Sequence, residues 1–159
     1  GVGETTLSFD LDPVSTQVGS GPTAMDRISV LIEDIALSVE VATTVAEREA
    51  GLSGKSELDS GVGMLFLFPP GDSASIWMKG MNFELDLIWI DGRCKVVDID
   101  ENVPLPEGLG ESITIYRPNT EAEAVIEVLA GSVQKFNIKR GSTVIYGPSH
   151  LDRSYGCDK

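Results

Sequence analysis

Three observations on the sequence predict a mainly β fold, a compact barrel or sandwich of about nine short strands with one or two short helices. Apolar residues recur with period two in several short runs. Clusters of Gly, Pro, Asn, Asp and Ser separate these runs at intervals of about 8–12 residues, the spacing of closed or nearly closed all-β folds. Helical periodicity is confined to two short stretches, so the strand–helix alternation of a doubly wound α/β fold is missing.

The elements follow in chain order. In Thr5–Leu11, Leu7, Phe9 and Leu11 fall on one face and Ser8 and Asp10 on the other, the pattern of a half-buried strand. Pro13 stops it, and residues 12–27 read as a linker rich in Gly, Pro, Ser and Thr. Fully extended, such a linker reaches about 50 Å, so the first strand is free to pack away from its own domain. The β-rich domain is expected over residues 28–147, followed by a tail at 148–159. Ile35, Leu37, Val39 and Val41 alternate with Ala36, Ser38 and Glu40 in a strand. Thr44-Val45-Ala46-Glu47 is a capping box, in which a Thr hydroxyl and a Glu carboxylate satisfy each other's free backbone N–H groups. Gly51 is placed to end that helix after about two turns. Met64–Phe68 reads as a buried strand ended by Pro69-Pro70-Gly71, and Ser75–Lys79 as a short strand around Trp77. Leu85–Asp91 turns at Asp91-Gly92 into Lys95–Ile99, a hairpin. Ser112–Tyr116, Ala124–Leu129 and Ser142–Tyr146 complete the strands, and a second helix is expected over Ser132–Phe136.

The 159 residues and a 42% hydrophobic content suit one domain with one core. The net charge of −13, from 25 acids against 12 bases, argues against nucleic acid as a partner, because phosphate binding needs Lys and Arg. The longest apolar run, Met64–Phe68, is far too short to insert into a bilayer as a helix. Gly1 in place of an initiator Met predicts either trimming of that Met or removal of a signal peptide, and Gly1–Thr5 only weakly fits a myristoylation pattern.

From about Val39 to Val144 the chain resembles a family, the domain of unknown function 192. The residues that carry the resemblance are Ala46-Glu47-Arg48 with Gly51-Leu52, and Gly63-Met64-Leu65-Phe66. Trp77-Met78-Lys79 follows with Met81-Asn82, then Leu85-Asp86 and Ile90-Asp91, then Glu101-Asn102-Val103-Pro104. The last are Val128, Ala130-Gly131 and Ile138-Lys139-Arg140-Gly141. The Trp-Met-Lys block followed by Leu-Asp and Ile-Asp is its most specific part. The resemblance implies a compact β-rich fold with small helices, often in exported or envelope proteins, and implies no activity.

No catalytic constellation is legible, and the chain is read as a non-enzyme without a cofactor. The single histidine, His150, falls in a polar tail, where a Ser-His-Asp or Cys-His arrangement would have to run through it. No Cys-x-x-Cys or His-x-x-x-His spacing offers a transition-metal site. Asp98, Asp100 and Asn102 have the alternate spacing of calcium-loop oxygen ligands, but Val103 stands where the loop needs Gly and Leu109 where it needs Glu. A polar strand end is the plainer reading. Cys94 and Cys157 permit one disulfide, worth roughly 3–4.5 kcal/mol and implying an oxidising compartment, or two free thiols.

Two functional expectations follow. The first is structural: an exported, extracellular subunit polymerising head to tail into a filament. Its N-terminal strand would be donated to a copy of itself through the anchors Leu7, Phe9 and Leu11. The second is a monomeric envelope module binding a small ligand near Trp77, Lys79 and Asp86, with Trp77, Met78, Met81, Phe83 and Trp89 as an aromatic and Met cluster. A buried Lys79–Asp86 pair is part of the second expectation, against a partly exposed ion pair as its plainer form.

Overall fold

The computed structural model describes residues 25–107 and 113–158. The segment with Leu7, Phe9 and Leu11, most of the expected linker, and Leu109 lie outside them. Nine strands and two helices occur among the described residues. In chain order they are β1 (Arg27–Ile32), β2 (Ile35–Ala42), α1 (Val45–Ala50), β3 (Val62–Leu67), β4 (Ile76–Trp77), β5 (Leu85–Ile90), β6 (Val96–Val103), β7 (Ile115–Tyr116), β8 (Ala124–Leu129), α2 (Ser132–Phe136) and β9 (Val144–Tyr146).

Seven strands form one sheet in the order β9-β1-β2-β3-β8-β5-β6, and β4 and β7 make a separate two-stranded ribbon. All neighbours in the main sheet are antiparallel except β2 and β3, whose parallel pairing requires the crossover that α1 occupies. The sheet curls until its ends meet. Lys95 and Thr143 form an isolated bridge, Val96 N–H donates to Ser142 C=O at 3.0 Å, and Val144 N–H donates to Cys94 C=O at 2.9 Å.

The curl gives the sheet a concave and a convex face with separate cores. The concave core holds Ile28, Val30, Ile32, Leu37, Val39, Leu65, Ile88, Ile126 and Val128, closed by Val133 of α2 and by Ile138. The convex core holds Met64, Phe66, Leu85, Leu87, Trp89 and Val125, covered by Leu52, Ala74, Ile76, Met78 and Met81. Both faces are buried, so β5 has no exposed side, and its six residues are all buried. Strand β1 buries Ile28, Val30 and Ile32 in strict alternation, adding a regular strand where the sequence reading saw only the start of the domain.

The tail is fastened to the sheet. Cys94 and Cys157 are disulfide-bonded, with Cα atoms 5.7 Å apart, and Tyr146 N–H donates to Cys157 C=O at 2.8 Å. Asp26, where β1 begins, accepts from the Ser149 hydroxyl, from the Tyr155 hydroxyl at 2.7 Å and from His150 N–H at 3.3 Å. The Ser149 bond is the main reason its carboxyl lies below the usual range. His150 contributes its backbone to this clasp while its side chain stays exposed.

Candidate functional site

The convex face carries a groove between α1 and the segment leading through β4. Its volume is about 370 Å³. Each wall has a local cause. Helix α1 starts at Thr44, whose hydroxyl accepts from Glu47 N–H at 3.1 Å, while the Glu47 carboxylate accepts from Thr43 N–H at 2.9 Å and Thr44 N–H at 3.2 Å. These bonds, the Thr43 N–H foremost, hold Glu47 below its ordinary pKa. The helix ends at Gly51, with φ of 47°, and a Cβ there would press within 3.3 Å of the Phe66 ring.

Arg48, one turn into α1, anchors the helix to the sheet. Its Nη1 donates to Leu67 C=O and to Thr43 C=O, each at 2.8 Å, and its guanidinium lies 5.1 Å from the centroid of Phe68. The opposite wall is the β4–β7 ribbon, in which Trp77 pairs with Ile115. Ile76 points into the core, so period two turns Trp77 outward; it is 36% exposed and lines the groove. Ser53 ties the two walls together by donating its hydroxyl to Lys79 C=O at 2.6 Å.

Glu127 of β8 lies on the groove floor, with Phe66 beside it. Its register partners are Met64 on β3 and Leu87 on β5, so the sheet surrounds it with apolar side chains. Gly63 makes this approach feasible, since a Cβ at that position would fall 2.1 Å from the Glu127 carbonyl oxygen. Glu127 is 3% exposed, and its Oε1 is buried without any hydrogen-bond partner. Burial pushes its pKa up to about 8, so the side chain is mostly a neutral carboxylic acid at pH 7.

The residues singled out from sequence divide differently. Trp77 lines the groove. Lys79 does not reach Asp86; its ammonium stands 5.4 Å from the Trp77 ring centroid, exposed. Asp86 is fully buried on the concave side, where its carboxylate accepts from Asn102 N–H at 2.8 Å, Gly131 N–H at 3.1 Å and Val133 N–H at 2.9 Å. The Lys79–Asp86 pair is therefore replaced by three backbone donors, and Asp86 does not line the groove. It joins β5, β6 and the start of α2.

Asp98, Asp100 and Asn102 do not converge either. Asp98 is buried and accepts from Ile99 N–H, Asn119 N–H and the Arg140 guanidinium, the last at 2.8 Å. Burial raises its pKa, and Arg140 with the N–H donors outweighs that and lowers it. Asp100 accepts from the Trp89 indole N–H at 2.8 Å, and Asn102 donates its own N–H to Asp86. Asp98 and Asp100 are thus committed to separate structural contacts and Asn102 contributes its backbone N–H to a third, and no group of three or more His, Cys, Asp or Glu suited to a metal occurs among the described residues.

Glu127 was missed at the sequence level, although a signal existed. It is the one charged residue in the strand Ala-Val-Ile-Glu-Val-Leu, and a charge in a strand buried on both faces is costly enough to mark a site.

Comparison with known proteins supports the fold. The model of the DUF192 family (Uncharacterized ACR) matches residues 28–146. A crystal structure from Sinorhizobium meliloti, of a protein described as a candidate transcription regulator, is similar with a TM-score of 0.66 at 25% identity, covering 79% of this chain and 98% of that one. A protein of unknown function from Novosphingobium aromaticivorans is similar with a TM-score of 0.62 at 28% identity, covering 74% of this chain and 82% of that one. No curated protein matches the chain.

Proposed function

The chain belongs to the DUF192 family, and from that premise we propose that the domain is a small-ligand-binding module whose site is the groove between α1 and β4. The observation that carries the reading is Glu127 in the groove lining, its Oε1 buried without a hydrogen-bond partner. A buried carboxyl without a partner costs stability that an apolar residue would not, and a bound molecule would supply the missing partner. The walls have the composition of such sites: Phe66, Phe68, Trp77 and Met81 give apolar surface, and Glu127 gives a single deep polar point.

Amide NMR with a set of small soluble fragments tests this. Binders should shift the signals of Arg48, Gly51, Trp77 and Glu127 and bind about tenfold more weakly to Trp77→Ala, an exposed-side substitution that leaves the core intact. Binders that move only signals elsewhere would contradict the proposal.

A second proposal is independent of the groove. The domain would be an exported, extracellular subunit that polymerises by donating the strand bearing Leu7, Phe9 and Leu11 to a copy of itself. What favours it is that β6 is an edge strand, and beyond its Lys95–Thr143 corner its outer side pairs with no strand among the described residues. Electron microscopy of the chain with and without residues 1–24, a truncation that keeps the Asp26 clasp, decides it. Filaments only from the longer form would support donation, and dispersed particles from both would remove it.

A further inference from the structure

We infer that the groove selects small apolar amines, bound as ammonium ions with the Glu127 carboxylate as their counter-ion. The inference rests on the binding reading above and adds a ligand class to it.

Three features converge on a cation. The floor has an oxygen with no donor facing it, and an ammonium brings only donors. The ionisable groups lining the groove are Arg48 and Glu49 from α1, Asp72 from the loop before β4, and Glu127 from β8, one base against three acids. Arg48 is already committed to Leu67 and Thr43 carbonyls, so it does not neutralise Glu127. The walls present Phe66, Trp77 and Met81, whose ring faces and sulfur tolerate a cation better than aliphatic side chains do. Lys79, outside the lining, sits over Trp77 as a further cation. The elements packed against Glu127 within the sheet contribute Met64 and Leu87, which carry no charge. A carboxylate ligand would meet an acid at the floor, and a neutral alcohol would leave the buried charge balance unchanged.

The proton balance is specific. Free Glu127 is mostly protonated at pH 7. An ammonium entering from water converts it to a carboxylate, so one proton leaves Glu127 for the solvent and the ion pair replaces the neutral acid. Binding is therefore linked to proton release below pH 8.

Isothermal titration calorimetry with benzylamine, benzyl alcohol and benzoate, in two buffers of different ionisation enthalpy, tests this. Benzylamine should bind at least tenfold more tightly than the other two, release about one proton at pH 7, and gain roughly tenfold in affinity per pH unit from pH 6 towards 8. Glu127→Gln keeps the side-chain shape; it should abolish proton release and the pH dependence, weaken benzylamine at least tenfold, and leave benzyl alcohol nearly unchanged. A thermal melt and the benzyl alcohol titration show that this variant is folded with an open groove. Equal binding of amine and alcohol without proton release, or preference for benzoate, would overturn the amine inference while leaving the groove a ligand site. Failure of all three probes to bind at the groove would overturn both.

Discussion

Asp86 and Glu127 lie on neighbouring strands, β5 and β8, and are buried to almost the same degree, at 0% and 3% exposure. Their surroundings differ completely. Asp86 faces the concave side and accepts from three backbone N–H groups, which tie α2 and the end of β6 to β5. Glu127 faces the convex side, one oxygen has no partner, and a groove opens above it. The contrast separates two uses of a buried acid. A carboxylate whose acceptor sites are filled by backbone donors organises the fold. One left bare is tolerated only at a cost, and such costs concentrate where another molecule binds.

The largest expected effect sharpens this contrast through pH. The folded-state pKa of Glu127, about 8, lies above its unfolded value of 4.5, so folding takes up a proton between those limits. For an acid raised in this way, the protonated form is the stabilised one. Its contribution is present below pH 4.5 and lost as pH rises through 8, a fall on the order of 5 kcal/mol across the window. Glu127→Gln should remove that slope, so that urea melts of the two proteins diverge steadily from pH 5 to pH 8. Parallel stability profiles would place a charged, satisfied carboxylate at the floor instead.

A smaller effect is expected from Asp86→Ala, roughly 3 kcal/mol of lost stability, because three buried or half-buried N–H groups lose their acceptor at once. Urea unfolding of the variant beside the unsubstituted protein measures it. A loss below 1 kcal/mol would mean that water replaces the carboxylate and that Asp86 is not the clasp described above.

How far the sequence revealed these features depended on whether the cause was local. The capping box at Thr44 and the stop at Gly51 are bonds between residues a few positions apart, and helix α1 forms where they predict it. Helix α2 likewise occupies Ser132–Phe136. Strand β1 escaped notice although Ile28, Val30 and Ile32 alternate. Its turn into β2 uses Glu33 at φ 54° rather than Gly or Asn. That conformation is held from far along the chain, by Glu33 N–H donating to Thr143 C=O at 2.9 Å and Thr143 N–H to the Glu33 carboxylate at 2.7 Å. Trp77 was legible as a groove residue. Asp86 was grouped with Trp77 and Lys79 because strand period places it opposite Leu87 without telling which face the β4 segment covers. Glu127 was legible only as an anomaly, a lone acid in an apolar strand. Its meaning depends on the helix and loop that cross above it.

The most direct test of the contrast is a pH titration of the carboxyl carbons of Glu127 and Asp86 by NMR. The account predicts that Glu127 titrates near pH 8 and that its midpoint falls when benzylamine is added, while the Asp86 signal is unaffected by the amine. A Glu127 midpoint in the ordinary carboxylate range, unmoved by amine, would contradict the claim that the groove floor holds an unpartnered acid.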